Sequence, residues 1–340
     1  MELDVHNKGA IPLIRHPDCY ALGYQVIRVL GFNPEAGRIT YLAYDCKSQQ
    51  QVVIKEFCLA NNSADWSGFK AYEHETAILQ KLNHPRIPRY LNSFATQQAF
   101  YLVLEYKKAV PLSLKRSFRP EEVKQIALSI LQILVYLQQR IDPIIHRDIK
   151  PENILVDEQL NAYLIDFDLA RVQGAEIALT SLVAGTPGFI SPEEQLGYPL
   201  SLASDLYSLG ATIICLLTNS RSFDVHELIK SNGCFNLQKL DSQINLRFRS
   251  WLMGMVASKR QYRYANAADA MAALKPIQAT GTATAMEIFF TALKLKKQTA
   301  VLALAVIAML TVAGTTLILS QQGGVAQQLQ EVNGVGSGER

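Results

Sequence analysis

No Cys-x-x-Cys pair occurs anywhere in the 340 residues, and the five cysteines (Cys19, Cys46, Cys58, Cys215 and Cys234) are odd in number and scattered. This excludes a zinc ribbon, speaks against a disulfide framework and suits a reducing compartment. There is little excess of charge of either sign: 33 basic against 30 acidic residues give +3. Charge alone therefore predicts no nucleic-acid partner. No apolar run follows Glu2, Asp4, His6 and Lys8, so no secretory leader is expected. No internal repeat is visible. What is abundant is apolar: 49% hydrophobic against 19% charged residues, enough for a substantial core and too much for a disordered chain.

Charge is missing altogether between Gln298 and Gln330. Within that stretch residues 300–319 read AVLALAVIAMLTVAGTTLIL. Twenty such residues as a helix span about 30 Å, the thickness of a bilayer's hydrocarbon core. A buried core helix is the alternative for a run of this kind. Lys294, Lys296 and Lys297 precede the run closely, whereas only Glu331, Glu339 and Arg340 follow it, so the N-terminal side is expected to be cytoplasmic. The organisation read from the chain is an extension at 1–19, a globular domain at 20–275, a linker and basic juxtamembrane segment at 276–298, a transmembrane helix at 299–320 and a Gly- and Gln-rich tail at 321–340.

Periodicity changes along the globular part. Runs at 24–30, 39–44, 52–57 and 100–106 are rich in Val, Ile and aromatics, as strands are. Phe69, Tyr72, Ile78, Leu79 and Leu82 recur with helical spacing between them. From Pro120-Glu121-Glu122 onward the pattern is helical. Proline suits the first turn, acids suit its positive end, and Val123, Ile126, Ala127, Ile130, Ile133, Leu134 and Leu137 form one apolar face. A small β-rich lobe, a larger helical lobe and a ligand cleft between them follow, an α+β, bilobal architecture.

The chemistry lies in the run Ile144-Ile145-His146-Arg147-Asp148-Ile149-Lys150-Pro151-Glu152-Asn153-Ile154-Leu155. That run resembles a phosphoryl-transfer loop, and that chemistry needs a carboxylate to orient a hydroxyl and take its proton, a cation for the transferred group, and oxygen ligands for magnesium. Asp148, Lys150 and Asn153 supply those residue types at short spacing. The run resembles the catalytic loop of the serine/threonine protein kinases, in the Hanks-type form found in bacteria, notably cyanobacteria. The resemblance implies Asp148 and Lys150 as catalytic residues, Asn153 as a metal ligand, and a packing role for His146.

Other motifs follow in family order. Asp166-Phe167-Asp168 is similar to the Asp-Phe-Gly motif, which implies Asp166 as the second metal ligand. Asp168 replaces the glycine, and aspartate tolerates left-handed backbone less well, which implies a less mobile switch. The flanking residues 154–156 and 162–165 read as a small hairpin. Val52-Val53-Ile54-Lys55 is similar to the strand whose lysine grips the α- and β-phosphates, with Glu75, not Glu73, in register as its partner. Gly31-Phe32-Asn33-Pro34-Glu35-Ala36-Gly37 is similar to the phosphate-covering loop, keeping a first and last glycine and losing the middle one; Pro34 also removes a donor. Leu104 matches the gatekeeper, and Glu105 and Tyr106 match the hinge that contacts adenine.

Thr186 and Glu193 match the end of the activation segment. Asp205 matches the aspartate that ties down the catalytic loop, and Arg263 the partner of Glu193. Arg147 implies control by phosphorylation in the activation segment, with Thr180 and Ser181 the nearest acceptors.

The resemblance covers about 250 residues and implies a membrane-tethered serine/threonine kinase using ATP with Mg2+, or Mn2+ in its place. Its partners would be protein substrates, another copy in trans autophosphorylation, and the lipid bilayer. A pseudokinase scaffold that binds partners and transfers nothing is the main rival. It rests on the altered glycine loop and Asp168, and is opposed by Lys55, Glu75, Asp148, Lys150, Asn153 and Asp166. A small-molecule kinase of the same fold is disfavoured by Lys150 together with Gly185-Thr186-Pro187 and Pro192-Glu193.

Overall fold

A computed structural model describes residues 19–34, 36–58, 67–114, 117–174, 185–240 and 244–281. The chain divides into two units, residues 1–281 and 282–340, and every described residue belongs to the first. Among the described residues no helix is long and apolar enough to cross a membrane. The 299–320 segment, Thr180 and Ser181 lie outside them.

The first lobe is an antiparallel sheet of β1 (Tyr24–Asn33), β2 (Arg38–Asp45), β3 (Gln50–Cys58), β4 (Tyr90–Ala95) and β5 (Ala99–Glu105), in the order β1-β2-β3-β5-β4. Side chains alternate across a strand, and β3 uses both faces. Val52 and Ile54 join Tyr41, Ala43, Tyr101 and Val103 in one small core. Val53 and Phe57 face the main core on the other side, with Leu102 and Leu104. Helix α1 (Ser67–Leu79) covers that second face. Phe69 and Tyr72, one turn apart on α1, both pack on Phe100, the first tilted at 4.9 Å and the second stacked at 5.1 Å between ring centres, and Tyr72 meets Phe57 edge-on at 5.7 Å. These rings set the rotation of α1 on the sheet, which turns Glu75 inward and leaves Glu73 exposed. Leu82, read as part of the helical stripe, falls beyond the end of α1 but is still buried.

A two-residue strand β6 (Val110–Pro111) leads into the second lobe. Its central helix is α2 (Pro120–Gln138), with Pro120 in its first turn and the Arg119 N–H donating to Glu122 Oε2 at 2.8 Å. All seven residues of its predicted apolar face are buried. After it come β7 (Ile144–Ile145), β8 (Ile154–Val156), β9 (Ala162–Leu164) and β10 (Arg171–Val172), of which β7 and β9 pack against it. Strands β8 and β9 pair as the expected hairpin, β6 adds a third strand to it, and β10 pairs with β7.

The helices α3 (Pro192–Gln195), α4 (Ser204–Thr218), α5 (Leu246–Met255) and α6 (Ala267–Leu274) complete the lobe. All but the last residue of α4 is buried, which explains why its sequence is apolar on every side. A Cβ on Gly210 would stand 2.6 Å from Val256 and 2.8 Å from Met255, so glycine there sets how closely α4 meets the end of α5. Packing runs on past residue 275: Ile277 and Ala279 are in the core, and the Ala279 N–H donates to Glu121 Oε1 at 2.6 Å.

Candidate active site

Lys55 is placed by β3, opposite Thr40 on β2 and Leu102 on β5. Its ammonium donates to Glu75 Oε1 on α1 and to Asp166 Oδ1 beyond β9, both at 2.6 Å. Burial opposes a charged lysine, but Asp166 and Glu75 outweigh it and hold the ammonium above its ordinary range. Burial also pushes Asp166 up, yet Lys55 prevails and holds that carboxyl to about 2. Glu75 is fully buried and lies above the ordinary carboxylate range for that reason, despite the pull of Lys55. Asp166 is thus a carboxylate at neutral pH, and hard oxygen of this kind suits a divalent cation.

The loop after β7 carries the remaining predicted residues. Asp148 Oδ2 accepts from Asn153 Nδ2 at 2.6 Å and lies 2.8 Å from Lys150 Nζ. Its other oxygen is buried with no hydrogen-bond partner. A buried orphan acceptor beside a lysine suits an incoming hydroxyl donor. Asn153 spends its amide nitrogen on Asp148, donating also to the Asp148 carbonyl at 2.9 Å. The side-chain oxygen of Asn153 is then the atom able to ligate a cation. The carbonyl of Asn153 accepts from the Ile165 N–H at 3.0 Å, which ties the Asn153 and Asp166 segments together. Lys150 Nζ also donates to Thr186 Oγ1 at 2.9 Å, linking the loop to the end of the activation segment.

Both segments are held in strained backbone. Arg147 (φ 70°) and Asp166 (φ 66°) occupy the left-handed region without being glycine. Asp205, fully buried at the start of α4, accepts from the backbone N–H of His146 at 2.8 Å and of Arg147 at 2.9 Å. His146 fits a single tautomer: Nε2 donates to the Ile165 carbonyl at 3.1 Å, and Nδ1 accepts from the Asp148 N–H at 3.3 Å. Its ring meets Phe167 edge-on at 4.7 Å, the packing role expected. Arg263 donates to Glu193 Oε1 at 2.8 Å, so that predicted pair also forms.

The phosphate-covering segment keeps a strand-turn-strand frame, with a shorter turn than the spacing of its two glycines implies. Gly31 lies within β1 opposite Thr40, so it is a strand residue with no left-handed backbone, not the opening of a loop. The turn is short and closes on the pair Asn33 and Arg38. Its amides are partly committed: Ala36 N–H donates to Asn33 Oδ1 at 3.0 Å and Gly37 N–H to the Pro34 carbonyl at 3.2 Å. Gly37 (φ 59°) adopts left-handed backbone, which favours glycine. At the hinge, Leu104 is buried; the Glu105 N–H donates to the Arg89 carbonyl at 2.9 Å, and its carboxylate pairs with Lys107 at 2.8 Å. Tyr106 is half-buried beside it.

Two of the ion pairs that the sequence reading did not contain bear on the site. Arg38 meets Asp168 at 2.6 Å. Arg147 meets Glu194 at 2.7 Å, with side chains 0% and 3% exposed. The guanidinium expected to await a phosphate is therefore already engaged by a carboxylate. The doubled acid after Pro192 was the only sequence signal for it.

The protein kinase domain family matches residues 24–272. Serine/threonine-protein kinase D of Synechocystis sp. is 31% identical over 277 residues, covering 77% of this chain and 54% of that protein. Serine/threonine-protein kinase C of the same organism is 35% identical over 212 residues, 57% of this chain and 39% of that one. Serine/threonine-protein kinase PrkC of Bacillus subtilis is 31% identical over 208 residues, 59% and 31%. The chain spans about half or less of the length of these relatives.

Glu194 yields a prediction. Burial, with Asp205 and Glu193 nearby, outweighs Arg147 and raises its carboxyl to about 7. The folded chain then holds a proton that the unfolded chain releases near the ordinary 4.5. This group's contribution to stability should fall as pH rises from about 4.5 to about 7, by at most about 3 kcal/mol. In Glu194→Gln, thermal unfolding across that window should decline less steeply with pH than in the wild type; an unchanged slope contradicts the assignment.

Proposed function

The chain belongs to the protein kinase family, and from that membership we propose that it transfers the γ-phosphate of ATP to serine or threonine hydroxyls of proteins. The observation that carries the reading is the meeting of Lys55, Glu75 and Asp166, from a strand, a helix and a turn far apart in sequence, at 2.6 Å. Such a bridge fixes a cation for phosphate oxygens and a carboxylate for metal in one place. In this reading Lys55 grips the nucleotide phosphates, and Glu105 and Tyr106 border the adenine. Asp166 and Asn153 would hold Mg2+, or Mn2+ in its place. Bound there, the cation would neutralise charge on the phosphates.

The residues of this chain account for the rest. Asp148 accepts a hydrogen bond from the substrate hydroxyl on its unpartnered oxygen. As the hydroxyl oxygen bonds to the γ-phosphorus, the bond from that phosphorus to the bridging oxygen breaks, ADP leaves, and the proton passes to Asp148. Lys150, within reach of Asp148 and Thr186, offsets the charge on the transferred group. Protein hydroxyls are supported as acceptors by the names of the relatives and by Thr186 at the mouth of the site. Another copy of the chain is a possible acceptor in trans.

The scaffold reading keeps one supporting observation, the phosphate-covering turn whose amides are partly committed. Transfer of radiolabel from γ-labelled Mg-ATP to a generic protein substrate by the full chain separates the two. The kinase reading expects transfer by the wild type and a loss of about a hundredfold or more in Asp148→Asn. Nucleotide binding without transfer by the wild type would favour the scaffold.

The uncharged run at 300–319 and the lysines before it support a membrane span with residues 20–275 on the cytoplasmic side and residues 321–340 on the opposite side. Deletion of residues 299–320 should move the protein from an alkali-resistant membrane fraction to the soluble one. Equal partition of both forms would sink the tether.

A further inference from the structure

Asp168 stands where the family pattern has glycine, and Arg38 closes the hairpin that covers the phosphate site. They lie on opposite lobes, yet Arg38 Nη1 and Asp168 Oδ2 are 2.6 Å apart, with side chains 21% and 10% exposed. The hairpin needs such a contact. Its middle glycine is absent, Pro34 has no N–H, and the Ala36 and Gly37 amides bond within the turn. Among the described residues of the turn, little is left to draw it onto the cleft.

Charge makes the two residues a matched set. Asp168 adds a third carboxylate to the neighbourhood of Asp166 and Glu75, where Lys55 is a second cation and Arg171 donates to the Asp168 carbonyl at 3.4 Å. Without Arg38, Asp168 would be a buried charge facing Asp166, a costly arrangement. Without Asp168, Arg38 would lose the group that draws the hairpin down.

We propose that Arg38 and Asp168 are a positioning pair, clasping the phosphate-covering hairpin to the segment that follows Asp166. The clasp substitutes a side-chain bridge between the lobes for the glycine-rich cradle. Its consequence for catalysis rests on the kinase reading above; its existence as a clasp does not.

Hydrogen exchange and steady-state kinetics on the full chain test it with Arg38→Gln, Asp168→Gly, the double variant and Arg38→Lys. Either single change should speed exchange of the amides at 31–38 by roughly three- to tenfold, the scale of a part-buried ion pair. The double variant should be no faster than the larger single effect, because both remove one interaction. The KM for ATP should rise by a similar factor while kcat holds within about threefold, and Arg38→Lys should recover part of the loss. A purely structural loss would instead lower kcat at constant KM. If Asp168→Gly fails to fold, Asp168→Asn takes its place.

Unchanged exchange, additive effects in the double variant, or a KM effect confined to Arg38 would overturn the clasp; the last would mean that Arg38 acts on the nucleotide directly. If the wild type transfers no phosphate, the kinase reading fails, and the exchange results still decide the clasp.

Discussion

Everything at this site hangs on one buried cation held between two carboxylates. Lys55 alone, on an uncovered strand, would be a solvated surface charge. Largely withdrawn from water it has to be paired, and the pairing brings β3, α1 and the segment after β9 to one point. The aromatic rings that seat α1 on the sheet decide whether Glu75 can reach it. Packing in the first lobe is thereby translated into the position of Asp166, whose other connections are to the second lobe.

The second lobe answers with strain. Left-handed backbone at Arg147 and Asp166 costs about 1–3 kcal/mol each, and it persists because neighbours over-determine it. Asp205 holds the first by two backbone bonds, and Lys55 holds the second through its side chain. Both strained residues adjoin or belong to the groups expected to do chemistry. Glu194 adds a buried carboxyl partner to Arg147, so the loop is anchored by the fold itself before any modification is considered.

Much of this was legible in the sequence. The strands β1, β2, β3 and β5 announce themselves by β-branched and aromatic runs, and α2 by its stripe and proline start. Strand β4 was missed because YLNSFA is mostly exposed or half-buried at a sheet edge and carries no clear alternation. The two residues of β6 are too few to leave a pattern. Lys55, Glu75, Asp148, Asn153 and Asp166 were found through motif order, and the structure brings them together as two linked clusters. Arg38 with Asp168, and Arg147 with Glu194, were not found, since ion pairs between distant positions leave no local period. The glycine pattern misled for a related reason: Gly31 marks a strand, and only pairing with Thr40 reveals it.

The central claim is that Asp166, steadied by Lys55, seats a metal-bound nucleotide. Calorimetric titration of ATP into the full chain, with magnesium and with a chelator, tests it most directly when repeated on Asp166→Asn. The account predicts that magnesium tightens nucleotide binding in the wild type and that this gain disappears in the variant. An equal gain in both, or none in the wild type, would contradict it.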